Sequence, residues 1–149
     1  MKIAIGTDHA GFDFKEELKK FLEGAGHQVT DCGTHDKAPC DYPDFALKVS
    51  EAVAQGAVER GILVCGAGHG MAIAANKVPG IRAATCTDDY STRMSREHND
   101  ANVLVLPARV IAQLRGADLA KLFLATPFEG GRHAGRLAKI TAIETKYSR

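Results

Sequence analysis

Gly61-Ile62-Leu63-Val64-Cys65-Gly66-Ala67-Gly68-His69-Gly70-Met71 is the stretch that decides the fold of this chain. Gly61–Val64 is short, uncharged and apolar, the composition of a strand covered on both faces. A cysteine and three glycines in five positions follow, and a helical pattern resumes over Met71–Asn76. A short buried strand, a glycine turn and a helix together make one unit of a parallel α/β sheet.

The same unit repeats outward in both directions. Strands are predicted at Lys2–Gly6, His27–Asp31, Gly61–Val64, Ile81–Cys86 and Val103–Leu106. Helical patterns lie between and after them, at Phe12–Glu23, Asp44–Gln55, Met71–Asn76, Asp88–Glu97 and Ala117–Leu124. In the first helix Phe14, Leu18, Phe21 and Leu22 recur at three- and four-residue spacing and make one apolar face. Gly24 and Gly26 end it. The expectation is a five-stranded parallel sheet with helices on both faces. A last helix, Arg132–Tyr147, follows Gly130-Gly131 with no strand after it, and its Leu137, Ile140 and Ile143 form a stripe that suits the domain or another subunit. Without repeat, linker or low-complexity stretch, residues 1–149 read as one domain.

Nineteen Lys and Arg against eighteen Asp and Glu leave a net charge of +1. No such field points to nucleic acid or an anionic membrane, so an anionic ligand must be caught by a local cluster. No apolar run approaches the ~18 residues of a membrane span. Met1 leads straight into a strand without the pattern of a signal peptide. The four cysteines, Cys32, Cys40, Cys65 and Cys86, lack Cys-x-x-Cys spacing and are expected as reduced thiols in a cytoplasmic protein.

Ligands of open α/β sheets bind beyond the carboxyl ends of the strands. The first strand runs into Asp8 and His9, the third into Cys65 and the glycine turn, and the fifth into Arg109. An acid, an imidazole, a thiol and a guanidinium therefore converge on one edge. Glycines at 66, 68 and 70 let the backbone approach a ligand closely, and amides that open a helix favour negative charge. That charge can be a fixed phosphate or an oxyanion formed during reaction. The adjoining amides also favour the thiolate of Cys65, which can serve as base or nucleophile. Cys32, Cys40 and Cys86 are taken as inert.

Two familiar glycine motifs fail. A dinucleotide fingerprint needs glycine or alanine where Met71 or Ile73 stands, and a P-loop needs Ser or Thr where Val78 follows Lys77. No set of residues has metal-ligand spacing.

The helix from Asp88 runs back along the strands, so His98 at its end should lie ~15 Å from its start at 1.5 Å per residue. If His98 is catalytic, it serves the site of a partner subunit; otherwise it is a helix-terminal cation that suits the dipole. Arg132 and Arg136, four apart, share a helical face and suit a phosphate or solvent equally by pattern. His27, His35 and His133 receive no role.

The segments GTDHAGFDFK (6–15), DYPDFA (41–46), GILVCGAGHGMAIAANKVPGIRAA (61–84), SREHNDANVLVLPARV (95–110) and FEGGRHAGRLAKI (128–140) resemble the ribose-5-phosphate isomerase B family, which includes galactose-6-phosphate isomerase subunits. The resemblance covers nearly the whole chain. It implies a Rossmann-like three-layer α/β/α sandwich with an extra C-terminal helix, working without cofactor or metal as a homodimer or homotetramer with shared active sites.

It further implies that Cys65 moves a proton between C2 and C1 of a sugar phosphate through an enediolate. Gly66, Ala67, Gly68, His69 and Gly70 would hold the oxyanion. Asp8 would bind sugar hydroxyls, His98 would assist ring opening, and Asn99 would bind the sugar or its enediolate. His9, Arg109, Arg132 and Arg136 would hold the phosphate. One departure stands out. Family loops commonly carry threonine or serine where this chain has Ala67, and some members use a glutamate base where it has Met71. The thiol assignment therefore fits, while galactose 6-phosphate, allose 6-phosphate or a tetrose phosphate stay open as substrates beside ribose 5-phosphate. A non-enzymatic phosphoryl-anion binding module is the remote alternative. A receiver-type signalling module would need an acidic pair where Asp8-His9 stands and a lysine near Pro107-Ala108.

Overall fold

Alternating side chains along three central strands divide the core into two layers. The computed structural model describes residues 1–148. Strand β1 (Lys2–Thr7) sends Ile3 and Ile5 to one face and Ala4 to the other. Strand β3 (Arg60–Cys65) does the same with Ile62 and Val64 against Leu63 and Cys65. Strand β5 (Val103–Pro107) places Leu104 and Leu106 opposite Val103 and Val105. All these side chains are buried, as the uncharged runs of the sequence require.

With β2 (Gln28–Asp31) and β4 (Ala83–Thr85) they form a five-stranded sheet in the order β2-β1-β3-β5-β4. Every neighbouring pair is parallel. Helices α1 (Phe12–Gly24), α4 (Asp89–Glu97) and α5 (Gln113–Ala125) share one face. Helices α2 (Tyr42–Ala54) and α3 (His69–Ala75) cover the other. The expected three-layer sandwich is therefore present. Because β1 is followed by β2 on one side and β3 on the other, the chain reverses direction between β1 and β3, where open sheets form their ligand crevice.

Most boundaries lie within one residue of expectation; four elements differ by more, and of these α2 begins at Tyr42 rather than Asp44. Strand β4 is three residues rather than Ile81–Cys86, because Arg82 N–H donates to the Asn102 side chain instead of continuing a ladder. Helix α5 begins at Gln113 rather than Ala117, and Gly116 inside it lies against the Phe14 ring. Helix α3 takes in His69 and Gly70, so the free turn is only Gly66–Gly68.

The last helix, α6 (Arg132–Tyr147), has the expected bounds, and His133 is its one buried residue. Ile140, Ile143 and Tyr147 are exposed. Glu144 accepts a hydrogen bond from Gly80 N–H at 2.9 Å, and a cavity of about 790 Å³ opens between the helix and the Pro79–Ala83 stretch. The apolar stripe therefore finds little cover within its own chain.

Candidate active site

Cys65 ends β3 on the face of α2 and α3, with its carbonyl accepting from Ala108 N–H at 2.7 Å. Arg109 N–H bonds the next carbonyl, that of Gly66, at 3.0 Å. The glycine turn is thus stitched to the end of β5. A Cβ on Gly66 would sit 3.4 Å from Arg109 Cδ, so the arginine side chain lies directly over the turn. Gly68 caps α3 with φ +86, and a Cβ there would meet Thr85 Cγ2 at 3.0 Å. Both its conformation and its surroundings call for glycine. The first amides of α3 have no partner within the helix and are free to meet an anion.

Gly70 has a different neighbour. A Cβ on it would fall 2.6 Å from the Tyr42 ring, so Tyr42, the first residue of α2, forms a wall beside the turn. Ala67 and His69 are exposed at the mouth.

Asp8 and His9 reach the same edge from β1. Thr7, fully buried, ties that strand end down through its hydroxyl, 2.8 Å from Val64 O. Asp8 is 7% exposed, and its Oδ1 accepts from Ala10 N–H at 3.0 Å, capping a short 3-10 turn over His9–Gly11. His9 Nδ1 accepts from the Cys40 N–H at 3.2 Å. An amide nitrogen can only donate, so Nδ1 holds a lone pair, and the neutral ring carries its proton on Nε2. That proton is available to a ligand oxygen.

Burial pushes the Cys32 thiol up, with the Asp31 carboxylate adding to it. Burial does the same for Cys86, against hydrogen bonds from Ser95, Thr92 and Ser91. Both shifts favour the protonated thiol.

The other predicted residues gather at the far end of the sheet. His98 caps the C-terminus of α4, and the turn after it is pinned from two sides. Arg82 Nε donates to Asn99 O and Asp100 O, both at 3.0 Å. Arg96, 3% exposed, donates to Asp100 Oδ1 and Ala101 O, both at 2.7 Å, and to Thr126 O at 3.1 Å. Asp100 adopts φ +44 to make this turn. The His98 ring stacks on His133 with centroids 4.0 Å apart and planes 15° from parallel. Arg132 and Arg136 flank His133 on α6, both exposed and neither ion-paired among the described residues.

His98, Glu129 and His133 also bring potential ligand atoms within 4.8 Å of one another. Ring nitrogens bind metals through in-plane lone pairs, and an ion in the plane of one stacked ring lies off the plane of the other. As arranged, the pair does not form a two-histidine metal site.

The candidate residues thus fall into two groups, the candidate half-sites. Asp8, His9, Cys65, the glycine turn and Arg109 occupy the strand-exit edge; His98, Asn99, Arg132 and Arg136 occupy the strand-entry end.

A family model described as Ribose/Galactose Isomerase matches residues 3–140. The chain belongs to this family. It is 48% identical over 149 residues to ribose-5-phosphate isomerase B of Escherichia coli, covering 97% of each protein. Its fold superimposes on Clostridium thermocellum ribose-5-phosphate isomerase B with a TM-score of 0.98 and 55% identity, over 99% of this chain and 100% of that one. The Mycoplasma genitalium ribose-5-phosphate isomerase B with bound ribulose-5-phosphate matches with a TM-score of 0.93 and 37% identity, over 97% of each chain.

For this member of the ribose/galactose isomerase family, sequence reasoning missed two residues beside the half-sites. Tyr42 was legible only as part of the DYPDFA segment, where Pro43 marks the start of a helix. His133 had no signal at all, because a ring stack between distant residues leaves no spacing to read.

Proposed function

We propose that this chain is an aldose–ketose isomerase interconverting D-ribose 5-phosphate and D-ribulose 5-phosphate, in a site built from two copies of the chain. The observation that carries this is Cys65 at the mouth of the glycine turn, with Asp8, His9 and Arg109 on the same edge. Family membership supplies the reaction class.

The Cys65 thiolate removes the proton on C2 of the opened aldose. The electron pair moves into a C1–C2 double bond, and the carbonyl oxygen on C1 becomes an oxyanion facing the amides of the glycine turn. The same thiol returns the proton to C1 while the C2 hydroxyl passes its own proton to the C1 oxyanion, giving the ketose. Oxidation at C2 balances reduction at C1, so the chemistry needs no external redox partner. Asp8 accepts hydrogen bonds from sugar hydroxyls.

His98 of the partner subunit protonates the furanose ring oxygen and takes the C1 hydroxyl proton, opening the ring. The partner subunit's Asn99 binds the sugar. His9 and Arg109 meet the phosphate from one side, while Arg132 of the partner subunit and the partner subunit's Arg136 meet it from the other. The exposed stripe of Ile140, Ile143 and Tyr147 supports a homodimer, since such a face seeks cover in a second copy.

Ala67 favours a second reading, an isomerase of another sugar phosphate, because it lacks the hydroxyl common at that position. A panel of aldose phosphates in deuterated water, followed by NMR, tests both. Fastest isomerisation and carbon-bound deuterium on ribose 5-phosphate supports the first reading; a clear preference for a hexose or tetrose phosphate supports the second.

A further inference from the structure

Of the six histidines only His133 is buried, and the mechanism leaves it unused. His133 is 3% exposed, in the first turn of α6, with its backbone N–H bonded to Gly130 O at 3.0 Å. Its Nε2 lies 3.4 Å from Glu129 Oε2 but is misaligned for a hydrogen bond, so this buried nitrogen has no hydrogen-bond partner. A buried polar atom left unpaired costs stability, so its retention asks for a reason. The broad face of this ring is occupied by His98.

We propose that His133 is a positioning residue: its buried ring is the platform that fixes the plane of His98, so its loss impairs ring opening and leaves enolisation intact. This rests on the assignment of His98 to ring opening. His98 stands at a helix end, where its ring would otherwise rotate freely. A proton shuttle must hold its nitrogens within hydrogen-bond reach of both the ring oxygen and the C1 hydroxyl, and small misplacements are costly. Stacking against an immobile ring selects one plane.

The platform works only while His133 is neutral, because a cationic ring stacked beneath a proton shuttle opposes the proton that the shuttle must take up. Burial pushes its pKa below the ordinary imidazole value, with His98, Arg132 and Arg136 pushing the same way and Glu129 opposing them. The folded value is the lower one, so the neutral platform persists through neutral pH and is lost as pH falls through that depressed value. A proton on Nε2 would also draw the ring towards Glu129.

Two reactions separate the ring step from the proton transfer. Ribose 5-phosphate enters as a furanose and must be opened; ribulose 5-phosphate is open-chain, and its C1 proton exchanges with deuterated solvent through the enediolate alone. His133→Ala should lower kcat for ribose 5-phosphate by about tenfold to a hundredfold, with KM little changed. It should leave C1 exchange on ribulose 5-phosphate near wild type. His133→Phe, which keeps a flat ring but cannot titrate, should restore most of kcat and hold activity to lower pH.

Wild-type kcat in His133→Ala, or exchange falling in step with isomerisation, would overturn the proposal. Should His133→Ala not fold, loss of kcat in folded His133→Phe overturns it as well. His98→Ala distinguishes the two layers of inference. If it isomerises ribose 5-phosphate normally, the assignment of His98 is wrong; if it is impaired while His133→Ala is normal, only the platform is wrong.

Discussion

Cys65 and His98 lie at opposite ends of the sheet within one chain. Cys65 pairs with Pro107 at the exit of β5, whereas Gly61 pairs with Val103 at its entrance, and His98 precedes that entrance by way of the Asp100 turn. Four residues of strand rise separate the two levels by about 13 Å. Within one subunit the two side chains therefore belong to different ends of the fold. If both act on one substrate, His98 must come from a second copy, and a two-fold axis between the copies would complete two such sites.

The base is tested by Cys65→Ala. Turnover should fall by at least about a hundredfold while the fold and much of the substrate affinity remain, because proton transfer is lost and few binding contacts are. Steady-state kinetics with a circular dichroism control measures this. Activity near wild type would assign the proton transfer to another group.

The phosphate clamp is tested by Arg136→Ala. A guanidinium–phosphate contact made in both ground and transition states should raise KM by about tenfold or more with a smaller effect on kcat. Unphosphorylated ribose should be a poor substrate for the same reason. Equal efficiency on ribose and ribose 5-phosphate would remove the case for the clamp.

The floor of the His9 side is held by a buried ion pair. Lys15 is fully buried, and its Nζ lies 2.9 Å from both Asp31 oxygens and 2.8 Å from Thr34 O. Burial alone would raise the Asp31 pKa, but the Lys15 hydrogen bond, the Gly33 amide and Lys19 outweigh it and hold it below the usual carboxylate value. The stabilisation is therefore present above the unfolded value of ~3.9 and is lost as pH falls through the lower folded one. Asp31→Ala should cost about 3 kcal/mol by stranding a buried ammonium, less if Glu16, 2.8 Å from Nζ, compensates. Lys15→Met should cost less than Asp31→Ala. Urea unfolding at neutral pH gives the comparison, and the reverse order would contradict it.

A packing prediction concerns Gly116 in α5. A Cβ there would overlap Phe14 Cζ, and Phe14 is buried. Gly116→Ala should destabilise the fold by about 1–3 kcal/mol despite the better helix propensity of alanine. Adding Phe14→Leu should recover part of the loss in thermal unfolding, since the clash goes with the ring. An unchanged Tm in the single variant would show that α5 shifts freely.

The strand-exit half-site was legible because strand ends are fixed by hydrophobic runs, and Asp8, Cys65, the glycine turn and Arg109 each follow one directly. The entry half-site was legible only in outline. Helix rise placed His98 far from its own Cys65, but nothing in the spacing showed the His133 ring beneath it. Tyr42 was equally hidden, since its contact with Gly70 joins two helices of one layer that are distant in sequence. At the start of β4 the boundary moved because the Asn102 side chain intervenes. Such long-range hydrogen bonds and stacks have no periodicity, so patterns within one element cannot reveal them.

The shared site is tested most directly by a heterodimer. Cys65→Ala and His98→Ala chains, co-expressed with different tags and purified through both, pair so that one site keeps both groups and the other loses both. Each parent homodimer should be severely impaired, while the purified heterodimer should recover about half of wild-type activity per dimer, by the symmetry of a two-fold interface. A heterodimer no more active than its parents, with its composition verified by mass spectrometry, would contradict a site shared between Cys65 of one subunit and His98 of the other.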